Sequence, residues 1–118
     1  MDWTWIVHFQ RDEFLCPCCG KEHMDARFMQ RLDTARTLAG VPFKVNSGWR
    51  CSAYNEQVSS NSTGRHVKGQ AADIDADDAA TRGAILRALY AAGFMSFALA
   101  DGFIHVDSAG VPWVGLYD

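Results

Sequence analysis

The sequence predicts a small α+β domain, an antiparallel sheet with helices packed on one side. Two stretches with helical apolar spacing are each opened by aspartate and closed by glycine. Between and after them lie short runs that alternate apolar and polar residues, as half-buried strands do. Asp101-Gly102 sits between two such runs, a strong short hairpin signal. With 118 residues, 48% of them hydrophobic, the chain fits one domain spanning 1–118 around a single core.

The elements follow in order. Residues 3–9 are rich in aromatic and β-branched types and predict an edge strand or an extended arm. Asp25 is the expected N-cap of a helix to Ala39, with Gly40 just past its end. Phe28, Leu32, Ala35 and Ala39 form its core stripe, widened by Met29 and Leu38. Pro42 ends any helix. Phe43 to Asn46 alternates as a strand and Ser47-Gly48 breaks it. Ser52 to Val58 predicts a short helix, and Ser59 to Gly64 a polar loop. Ala71 to Ala76 predicts a strand with Ala72, Ile74 and Ala76 on one face and Asp73 and Asp75 on the other. Asp77 or Asp78 caps a second helix to about Ala91 or Ala92, with Gly93 as the residue that closes it. Ile85, Leu86 and Leu89 supply its apolar face. Met95 to Ala100 and Phe103 to Asp107 then form the hairpin, and Trp113 to Tyr117 a last strand.

Charge narrows the partners. Lys and Arg number 11 against 14 Asp and Glu, a net charge of -3, which argues against nucleic-acid binding. No apolar run is long enough for stable membrane insertion. The first residues, Met1 to His8, show no secretory signal, so synthesis in a cytoplasm is expected. A monomer is expected.

His66, Asp73 and His105 carry the chemistry. Two imidazoles and a carboxylate suit a catalytic zinc ion, which takes three protein ligands and keeps a fourth position open. Such an ion lowers the pKa of bound water to about 7 and polarises a carbonyl. His66 is expected from a loop and the other two from strands about 4.8 Å apart, close enough to converge. The small residues Gly69, Ala71 and Ala72 let loop and strand pack close to the ion. By spacing alone, surface or core histidines are the more common outcome for such a pattern.

At these residues the chain resembles the zinc D-alanyl-D-alanine carboxypeptidases and related peptidoglycan endopeptidases, which share a fold with the hedgehog signalling domain. The family's pattern is a His, a Gly three positions on and an Asp seven positions on, then a later His-x-Asp; here these are His66, Gly69, Asp73, His105 and Asp107. An upstream Ser-Gly-aromatic-Arg segment and a following Asn match Ser47-Gly48-Trp49-Arg50 and Asn55. The resemblance runs from about Phe14 to Asp107. It implies one Zn2+ held by His66, Asp73 and His105, with Arg50 gripping a substrate carboxylate or oxyanion through paired hydrogen bonds. Asp107 is expected to orient a ligand imidazole, and Trp49, beside Arg50, to line the substrate groove. Asp75 is expected to be structural, and Arg65 and Lys68 to add charge at the rim.

One departure concerns the general base. Active relatives commonly carry an acid three positions before the last His, where this chain has Gly102; the acid here is Asp101, four positions before. Asp101 is therefore the expected catalytic base, with a turn-forming role as the alternative. A second departure is Gly64, with Thr63 beside it, where relatives often have Ser. The expected function is zinc-dependent hydrolysis of a peptide bond in the peptidoglycan stem peptide, of carboxypeptidase or endopeptidase type. The expected setting is the cell wall, as a phage lysin or virion component. The alternative is a catalytically silent zinc-binding or structural module of the same fold.

Four cysteines remain: Cys16, Cys18, Cys19 and Cys51. A disulfide from the first cluster to Cys51, free thiols, and a structural zinc site of Cys16, Cys19, Cys51 and His23 are the open readings. Trp3, Trp5, Trp113 and Tyr54 are further candidates for a groove, though aromatic side chains more often pack in a core.

Overall fold

The structure, a computed structural model, describes residues 1–59 and 64–117. Helix α1 spans Ala26–Ala39. The Asp25 carboxylate accepts the Phe28 N–H and so satisfies an otherwise unpaired donor of the first turn. Gly40, at φ 68°, closes the helix in the left-handed conformation that a Cβ would oppose. Phe28, Met29, Leu32 and Ala35 are buried, whereas Leu38 faces solvent and lies outside the stripe. Helix α2 spans Ser52–Val58. Helix α3 spans Ala79–Ala91, with Asp78 accepting the Thr81 N–H as its cap.

Five strands form one sheet in the order β1-β2-β4-β3-β5, with β1 Val45–Ser47, β2 Ala71–Asp75, β3 Ser96–Leu99, β4 Phe103–Asp107 and β5 Trp113–Leu116. Strands β1 to β4 pair antiparallel. Strand β5 departs from the all-antiparallel expectation: it runs parallel to β3. Asp107, the end of β4, lies opposite Ser96, the start of β3, and Trp113 also pairs with Ser96. Residues 108–112 thus cross the start of β3 instead of folding back on β4. Strands β2 and β3, joined through α3, are parallel to each other with β4 inserted between them.

The alternation in β2 and β4 sends Ala72, Ile74, Ile104 and Val106 into a core with Phe28, Met29 and Leu32 of α1 and Ile85 and Leu89 of α3. Helices α1 and α3 therefore cover one face of the sheet. Helix α2 does not join them: Asn55, its buried residue, reaches the pocket of the opposite face.

Residues 3–9 do not form the expected strand. Asp2 accepts the Thr4 N–H and starts a 3-10 turn over Trp3–Trp5. The next residues are tied to α1 by Asp33, which accepts the N–H groups of Val7 and His8. Of the expected polar loop, residues 60–63, Thr63 among them, lie outside the described residues.

Candidate metal centre

The site lies on a single transverse row of the sheet. Ser47 pairs with Asp73, Asp73 with His105, His105 with Ala98, and Ala98 with Gly115. Paired residues share a face, so all of them look away from the helix-covered side. Ala98 is small, which leaves room above the two ligands from the sheet, whereas the Trp113 ring fills the place a side chain at Gly115 would take. A pocket of about 520 Å³ opens there, within the ordinary range for small-ligand sites. Its lining includes Arg50, Asn55, His66, Asp73, His105 and Asp107.

His66 enters from the turn at residues 65–69, which is bound to the segment before α2 by three hydrogen bonds. His66 Nδ1 lies 2.8 Å from the Gly48 carbonyl oxygen. Trp49 Nε1 donates to the Val67 carbonyl at 2.7 Å, and the Arg50 N–H donates to the His66 carbonyl at 3.3 Å. Gly69 ends the turn at φ 73°, and a Cβ there would lie 2.1 Å from the His23 carbonyl oxygen. Only glycine fits that conformation and that approach.

The bond to Gly48 fixes which nitrogen of His66 is free. A carbonyl oxygen only accepts, so the His66 proton sits on Nδ1 and Nε2 presents its lone pair to Asp73 Oδ1, 3.4 Å away. His105 directs Nε2 to Asp107 Oδ2 at 2.9 Å and Nδ1 to Asp73 Oδ1 at 3.0 Å. Lone pairs facing a carboxylate oxygen repel unless a cation lies between them, whether a proton or a metal. His66, Asp73 and His105 are all buried, and one ligand atom from each lies within 4.8 Å of the others. Ligands bonded to one tetrahedral ion at about 2.0–2.2 Å stand roughly 3.3–3.6 Å apart. Two imidazoles and a carboxylate therefore fit zinc in number, chemistry and spacing.

The charges agree with a cation site. Burial alone pushes the Asp73 carboxyl up, but hydrogen bonding to His105 and His66 outweighs it and holds the group well below the usual carboxylate range. Burial lowers His105, but Asp107 and Asp73 outweigh it and raise the imidazolium to about 9. Asp107 is also lowered: burial opposes its charge, while His105, the Ala109 N–H and Ser96 favour it.

Arg50 spreads its guanidinium over three partners. Nε donates to Ser47 Oγ at 3.0 Å, Nη1 to Asn55 Oδ1 at 3.3 Å and Nη2 to Asp73 Oδ2 at 3.1 Å. Three of its five N–H donors are so used, and two are left at the pocket. The residue thus anchors a metal ligand as well as facing the cavity. Asp75, the expected structural carboxylate, accepts from Asn46.

Two expected site residues are placed elsewhere. Trp49 is buried, packs edge-on against His23 and spends its N–H on Val67, so it braces the loop and does not line the groove. Asp101 is exposed in the β3–β4 turn and is absent from the described pocket lining; its carbonyl oxygen accepts from Arg82. Trp113, one of the expected groove candidates, is in the pocket wall, where it is joined by Leu116 and by Tyr117, whose ring packs tilted against Phe103. Burial and then the Asp73 charge raise the Tyr117 phenol, while Arg50 works in the opposite direction. Alternation from Trp113 through Gly115 carries the signal for Tyr117, since every second residue of a strand shares a face.

An α+β domain that gathers two imidazoles and a carboxylate at the floor of one open pocket has the build of a mononuclear metallohydrolase. Comparison with known families gives the class. A family model described as Peptidase M15 matches residues 7–107, and the chain belongs to that family of zinc peptidases. No curated protein matches the chain. Among the described residues, no helix is long and apolar enough to cross a membrane.

Proposed function

We propose that this zinc peptidase cleaves a peptide bond of the peptidoglycan stem peptide, as a carboxypeptidase or endopeptidase. The observation that carries the reading is the convergence of His66 Nε2, Asp73 Oδ1 and His105 Nδ1 beside an arginine that keeps donors at the pocket. Bound zinc supplies a Lewis acid that polarises a carbonyl and lowers the pKa of water to about 7.

The chain's own residues do the rest. Gly48 and Asp107 hold the two imidazoles in the tautomers that ligation needs. Arg50 offers its two remaining donors to a substrate carboxylate or to a carbonyl oxygen that gains charge. Tyr117 offers a phenol donor from the opposite wall. Asp101, two residues before Phe103 of the pocket wall, takes a proton from the water that attacks the peptide carbonyl and returns it to the leaving amine. It must turn inward from its exposed position to do so.

That requirement favours a second reading, a zinc-binding module without catalysis. The carboxylates of the described pocket lining are Asp73 and Asp107, and both are engaged by histidines. Mass spectrometry of purified peptidoglycan fragments incubated with the protein distinguishes the two. The peptidase reading expects stem-peptide cleavage that a chelator abolishes. Intact fragments in the presence of zinc-loaded protein support the silent module.

A further inference from the structure

A second group of metal-ligating side chains lies apart from the pocket, where the thiols of Cys16, Cys19 and Cys51 stand within 4.8 Å of one another. We propose that Cys16, Cys19 and Cys51 bind a second, structural zinc ion that staples the N-terminal segment to the start of α2.

The geometry around Cys16 is built for a thiolate. Residues 16–21 form a tight turn closed by Cys16 N–H to Lys21 O and Gly20 N–H to Cys16 O, each 2.8 Å. Gly20 adopts φ 71°, which a side chain would oppose. Pro17 has no N–H, so the donors turned toward the Cys16 sulfur come from the residues after it and from Cys51, whose N–H lies 3.5 Å from that sulfur. A thiolate is the form that binds metal.

Spacing favours an ion over a crosslink. The sulfurs of Cys16 and Cys51 lie 3.7 Å apart. Tetrahedral zinc with sulfur bonds of about 2.3 Å holds its sulfurs about 3.8 Å apart. A disulfide joins two thiols and leaves the third without a role, whereas an ion uses all three. Cys18 is exposed and lies outside the cluster. His23 is not in the cluster; its ring packs on Trp49. Cys51 is both the N-cap of α2 and the neighbour of Arg50, so the staple fixes the arginine that anchors Asp73.

Native mass spectrometry of the full chain, purified with reductant and without chelator, tests the proposal. Two zinc ions per chain are expected, falling to one in the Cys16→Ser/Cys19→Ser double variant and to one in His66→Ala. Loss of folding in the cysteine variant is bypassed by loading the unaltered chain with cobalt. A near-ultraviolet thiolate-to-cobalt charge-transfer band is expected, and it persists in His66→Ala. One zinc per chain with no such band overturns the proposal, as does an intact mass two hydrogen atoms short in chain prepared without reductant, the mark of a disulfide. Failure of the pocket site reads differently: His66→Ala would then hold as much zinc as the unaltered chain.

Discussion

His66 is held by Gly48, whose carbonyl oxygen receives the imidazole Nδ1 proton at 2.8 Å. The same glycine presses on the N-terminal segment, since a Cβ there would lie 2.6 Å from Phe14 Cα. Ligand orientation is thus coupled to close backbone packing. Gly48→Ala must move one backbone or the other. Overpacking of this kind costs about 1–3 kcal/mol, and loss of an outer-shell partner typically weakens metal binding by about 10–100-fold. Thermal melting and competition with a zinc chelator check both effects. Unchanged zinc affinity would mean that Gly48 does not orient the ligand.

Asp107 performs the matching task for His105. Asp107→Ala is expected to lower zinc affinity by about 10–100-fold, and Asp107→Asn by less, because an amide oxygen still accepts the Nε2 proton. Zinc titration of the two variants beside the unaltered chain measures the difference. Equal, full affinity in both would remove Asp107 from the site.

Without metal, His105 ties stability to pH. Its folded pKa, about 9, exceeds the unfolded value of about 6.5. Its contribution is therefore fully present below about pH 6.5 and lost as pH rises through the folded pKa. Asp73 has a depressed folded pKa, so its contribution is present above about pH 3.9 and lost as pH falls. The melting temperature of the chelated chain is expected to fall between about pH 6.5 and 9, and His105→Gln is expected to flatten that fall. A decline of the same size in the variant would assign it to another group.

Asp101 decides between catalysis and a silent site. As proton carrier, its replacement by alanine is expected to cost about 10²–10⁴-fold in kcat while zinc content stays the same. Peptide hydrolysis and zinc stoichiometry measured on one preparation separate the two effects. Full activity in Asp101→Ala would show that another group moves the proton.

Much of the fold is legible in the sequence because its signals are local. Asp25, Asp78 and Gly40 mark helix ends through hydrogen bonds or backbone geometry within a few residues. The alternation in 71–76 and 103–107 sets which side chains meet the core, and so places Asp73 and His105 together on the other face. What the sequence hides depends on long-range placement. The direction of β5 follows from where residues 108–112 cross β3, and no residue type encodes that crossing. Trp49 adjoins Arg50 in sequence, yet the turn at 65–69 covers it, so chain adjacency misleads about the groove. Exposed-face alternation likewise conceals that Asp73 and His105 are buried at a pocket floor by α2 and the 65–69 turn.

Anomalous X-ray scattering at the zinc edge from crystals of the loaded protein shows whether His66, Asp73 and His105 hold one metal ion, and through which atoms. A peak is expected about 2.0–2.2 Å from His66 Nε2, Asp73 Oδ1 and His105 Nδ1, with His105 Nε2 still bonded to Asp107. A peak bound through His105 Nε2, or no zinc at this pocket in a fully loaded crystal, would contradict this assignment.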